Sequence, residues 1–256
     1  MSKETERVPA AWLAARGTDK FVRCGEMQNL DLQDQDLSDI RLEELVAPGA
    51  NFRQAMMEDF RLMGGELEGA CFDGAFLDRA MFFDAVLHGS SFNGAVMHGS
   101  MVSACHAGQT SFVGAEMEDA NLSGSSLQES NFSGAELTNV NAEQAVFDRA
   151  NLTQADLSGG NLVKADLIGA NLTEADLSDV KAAEANFTEA NLTEAILAGG
   201  DFRKASFQGA NLSGADLSGG NFRKASFLGA NLTDVVWDDA VLDGAQFDPG
   251  ADPRQN

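Results

Sequence analysis

A spacing of five residues between large apolar side chains constrains the fold of this chain more than any other feature. Within residues 150–177 a leucine recurs at every fifth position, and an alanine or glycine stands two positions before each leucine. An α-helix repeats every 3.6 residues and a β-strand every two residues, so neither element explains a period of five. Repetition with a fixed period is typical of architectures in which short, similar units stack on their neighbours.

The five-residue frame extends over almost the whole sequence. From Met27 to Phe247 every central position of a unit has a number ending in 2 or 7, and the frame never shifts. The recurring pattern A-[DN]-[LF]-x-x resembles the pentapeptide-repeat family. This resemblance implies a right-handed, four-sided β-helix in which four pentapeptides form one coil. We therefore expect an all-β solenoid (a right-handed quadrilateral β-helix) of about 11 coils.

The sequence divides into three segments. We expect residues 1–26 to form an N-terminal cap, residues 27–249 to form the β-helix, and residues 250–256 to form a short tail. Within the cap, an early proline and a later glycine favour a short helix over residues 8–17. Val8, Trp12 and Ala15 share one face of this helix, which predicts that it covers the first coil. A helix that binds a partner protein is the alternative interpretation.

The interior is predicted from the same register. Residues 20 positions apart return to the same side of a four-sided coil, so equivalent positions stack at the β-sheet spacing of about 4.8 Å. The central residues and the small residues two positions earlier are expected to point inward. Glycine pairs such as Gly159-Gly160 are expected at corners, because turns with positive φ favour glycine. Two aromatic stacks are predicted, one of Phe52, Phe72, Phe92, Phe112 and Phe132 and one of Phe187, Phe207, Phe227 and Phe247.

The composition limits the classes of partner. The formal net charge is −23, from 40 acidic and 17 basic residues. This acidity excludes nucleic-acid binding by phosphate neutralisation, which needs a basic surface. The first residues lack the basic-then-apolar order of a signal peptide, no apolar run is long enough to span a membrane, and three cysteines are too few for a disulfide framework. We therefore expect a reduced, cytoplasmic protein that binds neither nucleic acid nor membranes.

The acidic residues are concentrated on one side of the predicted coil. The pentapeptides centred on positions 37, 57, 77 and onward to 237 carry a net charge of −14, whereas the other three sides carry −5, −6 and +1. We call the −14 side the acidic side. The +1 side carries Arg203-Lys204 and Arg223-Lys224 in consecutive coils. The residues predicted for partner binding on the acidic side are Asp36, Glu58, Asp59, Glu116, Glu118, Asp119, Glu136, Asp156, Asp176, Asp179 and Asp216.

Two interpretations of the acidic side stand beside each other. Acidic residues keep an edgeless β-solenoid soluble, or they imitate a polyanion. About 11 coils at ~4.8 Å give a rod roughly 53 Å long, and duplex DNA of that length carries about 31 phosphate charges. The family resemblance adds that some members, including plasmid-borne quinolone-resistance determinants, resemble DNA and bind bacterial type II topoisomerases. It implies a partner with a basic or DNA-binding surface, such as DNA gyrase or topoisomerase IV. This sequence departs from the quinolone-resistance members because it has no frame-breaking insertion loops and no room for a C-terminal dimerisation helix.

An apolar patch is a second candidate surface. Positions directly before the central residue are expected to face outward and usually hold Asn, Asp or Ser. In the N-terminal half they hold Met56, Phe76, Met81, Val96 and Met101 instead. Such a patch is typical of a protein contact, so the alternative function is a scaffold or adaptor that binds another protein through it. A local distortion that turns some of these side chains inward is the competing explanation.

The C-terminal end and the absence of catalytic motifs complete the predictions. Two prolines and a glycine after Phe247 disfavour a capping helix. The apolar end formed by Trp237, Leu242 and Phe247 is therefore expected to be exposed and to pair with a second copy in a two-fold homodimer. His88 and His106 lie on the same side in neighbouring coils, but the spacing offers no third or fourth ligand for a metal site, and phosphate-loop, nucleophile-elbow and zinc-protease motifs are absent. We expect no enzymatic activity and no cofactor.

Overall fold

The computed structural model describes residues 8–255 of the chain. One short helix, α1 (Ala10–Ala15), precedes five strands, and a 3₁₀-helix (Pro253–Gln255) lies at the end of the described part. The strands are β1 (Val22–Arg23), β2 (Arg41–Val46), β3 (Arg61–Glu66), β4 (Met81–Val86) and β5 (Met101–Ser103), and they form one sheet in that order. The later coils are joined by ladders of isolated β-bridges.

The register between successive coils is constant at 20 residues. Leu42 pairs with Leu62, and Leu62 pairs with Phe82. Isolated bridges continue at the same offset as far as the pair Ser226–Gln246. All of these pairs are parallel, because the chain always runs in the same direction around the coil. The predicted all-β solenoid with four pentapeptides in each coil is therefore confirmed.

Most pentapeptides place one large and one small side chain in the core. Central residues are fully buried through most of the solenoid, and so are the alanines two positions before them. Both predicted aromatic stacks are present. The ring centroids of Phe72 and Phe92 lie 4.5 Å apart with an interplanar angle of 4°, and those of Phe187 and Phe207 lie 4.9 Å apart with an angle of 3°. Each fully buried side chain of this size contributes about 1.5–3 kcal/mol, so this repeated burial holds the coils together.

A turn at each corner limits most sides of the coil to a single bridging residue. The residue two positions after the central one adopts a left-handed conformation with positive φ, which is the conformation that we predicted for glycines at the corners. Gly159 has φ +69°, but Gln154, Lys164 and Glu174 hold equivalent positions with φ +57°. The expectation that glycine defines the corners is therefore only partly correct. Left-handed conformations cost a residue with a Cβ about 1–2 kcal/mol, which the stacking of the coils must offset.

The second glycine of each pair has a role that differs from the predicted one. Gly160 and Gly200 lie at the inner small position and not in the left-handed turn. A Cβ on Gly160 would lie 2.9 Å from the carbonyl oxygen of Leu157, and a Cβ on Gly200 would lie 2.5 Å from the ring of Phe202. The corner prediction is wrong for these second glycines, because lack of room inside the coil is what requires them.

Helix α1 closes the N-terminal end of the solenoid, as predicted. Trp12 and Ala15 are buried, and Val8, which precedes the helix, is buried in the same core. Trp12 belongs to the continuous hydrophobic core that runs through the coils. Strand β1 follows the helix and pairs in parallel with β2, so the ladder of coils begins before residue 27.

Candidate partner-binding surface

The outward positions of the acidic side form a continuous column, because the 20-residue register aligns them. Glu116, Glu136, Asp156 and Asp176 follow one another in successive parallel bridges, one in each coil. The exposed acidic neighbours on the same side are Glu118, Asp119 and Asp179. Neighbouring coils are about 4.8 Å apart, which is well inside the Debye length of about 8 Å at physiological salt. The aligned carboxylates therefore create a strongly negative surface.

Backbone hydrogen bonds hold the aspartates of this column in one orientation. Oδ1 of Asp156 accepts the backbone N–H of Ser158 at 2.9 Å, and Oδ1 of Asp176 accepts that of Ser178 at 2.8 Å. Asp216 makes the same contact with the serine two positions later. Because these side chains are already ordered, they lose little conformational entropy when a partner binds.

Arginines neutralise the acidic side near its N-terminal end. Arg79 forms ion pairs with Glu58 and Asp59, and its hydrogen bond lowers the pKa of the Asp59 carboxyl. Arg16 forms an ion pair with Asp36 at 2.8 Å. Neither arginine is among the sequence-based predictions, although the register places Arg79 in the coil next to Asp59. Asp36, Glu58 and Asp59 are therefore compensated within the chain and are weak candidates for partner binding.

His98 marks the transition to the uncompensated part of the acidic side. Its Nδ1 lies 3.0 Å from Oδ1 of Asp78, and its Nε2 lies 3.7 Å from Oε2 of Glu116. In the coils that follow, the column residues have no ion-pair partner within the described part of the chain. These unpaired column residues are Glu136, Asp156, Asp176 and Asp216.

Met56, Phe76 and Val96 form an apolar column in three successive coils of the acidic side. Met56 is 46% exposed and Phe76 is 52% exposed, so no local distortion turns these two side chains inward. Val96 is partly exposed, and so are Met81 and Met101, which pair with each other across β4 and β5. The next bridge in the apolar column leads to Glu116. The same side therefore presents an apolar segment followed by an acidic segment.

The C-terminal end of the solenoid is less open than the sequence predicts. Trp237 and Phe247 are partly buried against the core, whereas Leu242 is only 6% exposed. The guanidinium of Arg254 lies 5.9 Å from the ring centroid of Phe247, and its Nη1 donates to the carbonyl oxygen of Leu242 at 3.0 Å. The predicted exposure of Leu242 is wrong, because its side chain packs inward and the tail lies against the last coil.

The described residues offer charge, shape and apolar contact area. Among residues 8–255, no group of three or more His, Cys, Asp and Glu side chains is placed to hold a metal ion. Cys24, Cys71 and Cys105 are free, and burial raises the pKa of the Cys105 thiol to about 11. None of the helices in this range has the length and apolar character needed to cross a lipid bilayer.

The fold and its surface define a parallel β-solenoid with a regular, rod-like exterior. The sequence profile described as pentapeptide repeats matches residues 66–99, 115–154, 150–184 and 185–223, which together make up more than half of the chain. The chain belongs to the pentapeptide repeat family. No curated protein matches the sequence.

HetL and QnrB1 are among the solved structures that share this fold. HetL, a pentapeptide repeat protein involved in heterocyst differentiation regulation from the cyanobacterium Nostoc sp., is 27% identical, with a TM-score of 0.56 and coverage of 92% of this chain and 93% of HetL. A trypsin-treated form of QnrB1, a plasmid-mediated fluoroquinolone resistance protein, is 18% identical, with a TM-score of 0.57 and coverage of 84% of this chain and 92% of QnrB1. At this identity the likeness to QnrB1 shows the fold alone.

Proposed function

We propose that this protein is a non-enzymatic interaction rod whose acidic side occupies a basic, DNA-binding groove of a partner protein. The observation that carries the proposal is the run of aligned carboxylates without ion-pair partners, Glu136, Asp156 and Asp176, in consecutive coils. Solubility would be served equally well by acidic residues scattered around the coil. Lysines and arginines of a partner groove would relieve the repulsion among these carboxylates and accelerate association.

A bacterial type II topoisomerase, DNA gyrase or topoisomerase IV, is the partner that we propose. Such an enzyme holds duplex DNA in a basic groove, and the column of the acidic side presents a carboxylate about every 4.8 Å along the rod, where each strand of a duplex presents a phosphate about every 3.4 Å. The family resemblance supports this choice, and the fold is shared with the fluoroquinolone resistance protein QnrB1. The proposal implies a cytoplasmic protein, because these enzymes act on the bacterial chromosome.

A supercoiling assay with purified gyrase tests the proposal. We expect micromolar protein to change the rate of supercoiling, or to restore supercoiling in the presence of a fluoroquinolone. The triple variant Glu116→Lys, Glu118→Lys and Asp119→Lys should lose this effect, because it reverses the charge where the acidic part of the column begins. The control variant Glu174→Lys, Glu189→Lys and Glu194→Lys makes the same change in net charge at exposed positions on other sides and should keep the effect. No effect of the wild-type protein, or equal loss in both variants, would remove the topoisomerase proposal.

A scaffold or adaptor is the second candidate function, and the exposure of Met56 and Phe76 favours it. In this case a partner protein packs on the apolar column and the adjoining Met81 and Met101. Phe76→Asp and Met101→Asp should then abolish capture of that partner in a pull-down. Ile196→Asp is a matched control, because Ile196 is 41% exposed at the equivalent outward position several coils away. If capture fails only after the charge reversal at Glu116, Glu118 and Asp119, imitation of DNA gains and the adaptor is ruled out.

The oligomeric state that we propose is a homodimer formed through the C-terminal end. Trp237 and Phe247 are partly exposed there, and Val236 beside them is exposed. Association of two such ends would bury this apolar surface around a two-fold axis. Sedimentation velocity should show a dimer that Trp237→Ala weakens, whereas Leu13→Ala at the opposite end should have no effect. A monomer at about 100 μM would contradict the proposal.

A further inference from the structure

Four basic residues form a cationic corner on this highly acidic molecule. We give this name to Arg203, Lys204, Arg223 and Lys224, two Arg-Lys pairs that are 20 residues, or one coil, apart in the sequence. The backbone N–H of Lys204 donates to the carbonyl oxygen of Arg223 at 2.9 Å, which fixes the two pairs side by side. Their spacing is therefore a property of the rigid solenoid and not of a mobile loop.

A hollow adjoins the cationic corner. It is lined by Ala183, Glu184 and the four basic residues. Ala183 occupies the position that Arg203 and Arg223 hold in the next two coils, so a short side chain stands where a long one would otherwise fill the space. Four basic side chains and the carboxylate of Glu184 border the hollow.

The first Arg-Lys pair is compensated within the chain. The Nε and Nη2 atoms of Arg203 donate to the carboxylate of Asp201 at 2.8 and 2.7 Å. Lys204 Nζ donates to Glu184 at 2.7 Å. Both basic side chains are thus held in place beside the hollow.

The second pair has weaker partners. Arg223 Nε is 3.3 Å from the carboxylate of Asp243, whose side chain is largely exposed. Lys224 forms no ion pair with any residue in the described range 8–255. Arg223 and Lys224 therefore keep several N–H groups that can donate to an incoming carboxylate.

We propose that the cationic corner binds a short acidic segment of a partner protein. The planar fork of arginine matches a carboxylate in two-point contact, and the nearby lysines add point charges. A nucleic acid or an anionic membrane carries many negative charges, which the net charge of −23 repels. A short acidic segment instead keeps its few charges within a Debye length, about 8 Å, of the corner, where the local charge is positive. This binding does not depend on the function of the acidic side.

Fluorescence anisotropy with a fluorescein-labelled hexaglutamate peptide tests the proposal on the full chain. We expect saturable binding at about 50 mM salt that weakens as salt rises. Arg223→Gln combined with Lys224→Gln should raise the Kd at least about tenfold. Arg53→Gln combined with Arg149→Gln makes the same change in net charge far from the corner, and should leave the Kd within about twofold of the wild-type value.

Three results would overturn the proposal. One is no binding of hexaglutamate at about 1 mM peptide, and the second is an equal rise in Kd for the two double variants. The third is displacement of the peptide by inorganic phosphate at the same concentration as by unlabelled peptide, because the corner would then be a site for small oxyanions. A Kd for Arg223→Lys that lies between those of the wild-type protein and the Gln variant would support a contact that uses both the charge and the planar fork of arginine.

Discussion

Replacement of Phe92 by alanine measures how strongly the aromatic stack stabilises the solenoid. Phe92 is fully buried, and its ring lies between those of Phe72 and Phe112, with centroid distances of 4.5 and 5.0 Å. Phe82 adds an edge-on contact at 6.1 Å. Truncation removes all three contacts. It leaves a cavity that cannot collapse, because backbone bridges fix the spacing of the coils. Phe→Ala in a core costs about 3–5 kcal/mol, and three ring pairs at about 0.5–1.5 kcal/mol each place this site at the upper end, about 4–5 kcal/mol.

Phe52 provides the matched comparison, because it ends the same stack. It is also fully buried, but Phe72, at 4.7 Å, is its ring neighbour in that stack. We therefore expect Phe52→Ala to cost about 3 kcal/mol, which is less than Phe92→Ala by about 1–2 kcal/mol. Equilibrium urea unfolding followed by far-UV circular dichroism gives both values against the wild-type protein. A cost for Phe52→Ala equal to or above that for Phe92→Ala would refute the reasoning, and so would a cost below about 2 kcal/mol for Phe92→Ala.

Three further predictions concern a titrating side chain and the two ends. Burial, and then the neighbouring Asp166 carboxylate, raise the pKa of Asp148. The stabilisation that this shift provides is complete below about pH 3.9, where the carboxyl is protonated in both the folded and the unfolded state, and it is lost as the pH rises through the raised pKa. Asp148→Asn should therefore be more stable than wild type in urea at pH 7 but not at pH 3, and an equal gain at both pH values would contradict this. Trp12→Ala should cost about 3–5 kcal/mol in the same assay, whereas Leu13→Ala, at an exposed position, should stay within about 0.5 kcal/mol; similar costs would mean that α1 does not cap the core. Arg254→Ala should uncover Phe247 and increase self-association in sedimentation velocity, and an unchanged distribution would show that the tail does not shield this end.

The register of the coils is the part of the structure that sequence predicts best. A strict five-residue period places every leucine and phenylalanine of the frame at an equivalent position, so one coil determines the geometry of the next. The stack from Phe52 to Phe132 and the column from Glu116 to Asp176 follow directly from numbers that differ by 20. The exposure of Phe76 also follows, because the position before each central residue faces outward.

Features that depend on contacts between particular side chains are not predictable from the period. Gly159 and Gly160 are adjacent glycines, but one adopts a left-handed turn and the other fills a place without room for a Cβ. The five-residue pattern does not show that Arg254 reaches the last coil, because the tail lies outside the repeat. The pairing of Arg79 with Glu58 and Asp59 lies between these cases, since the register brings them close but side-chain length decides the contact.

Competition between this protein and duplex DNA for a type II topoisomerase tests the proposed mode of binding most directly. Fluorescently labelled protein is bound to purified gyrase, and an unlabelled DNA duplex is added while anisotropy is recorded. Because both ligands are expected to occupy one basic groove, we predict complete displacement of the protein as the duplex saturates the enzyme. A stable complex that contains enzyme, protein and duplex together would contradict binding in the DNA groove, as would an anisotropy that the duplex leaves unchanged.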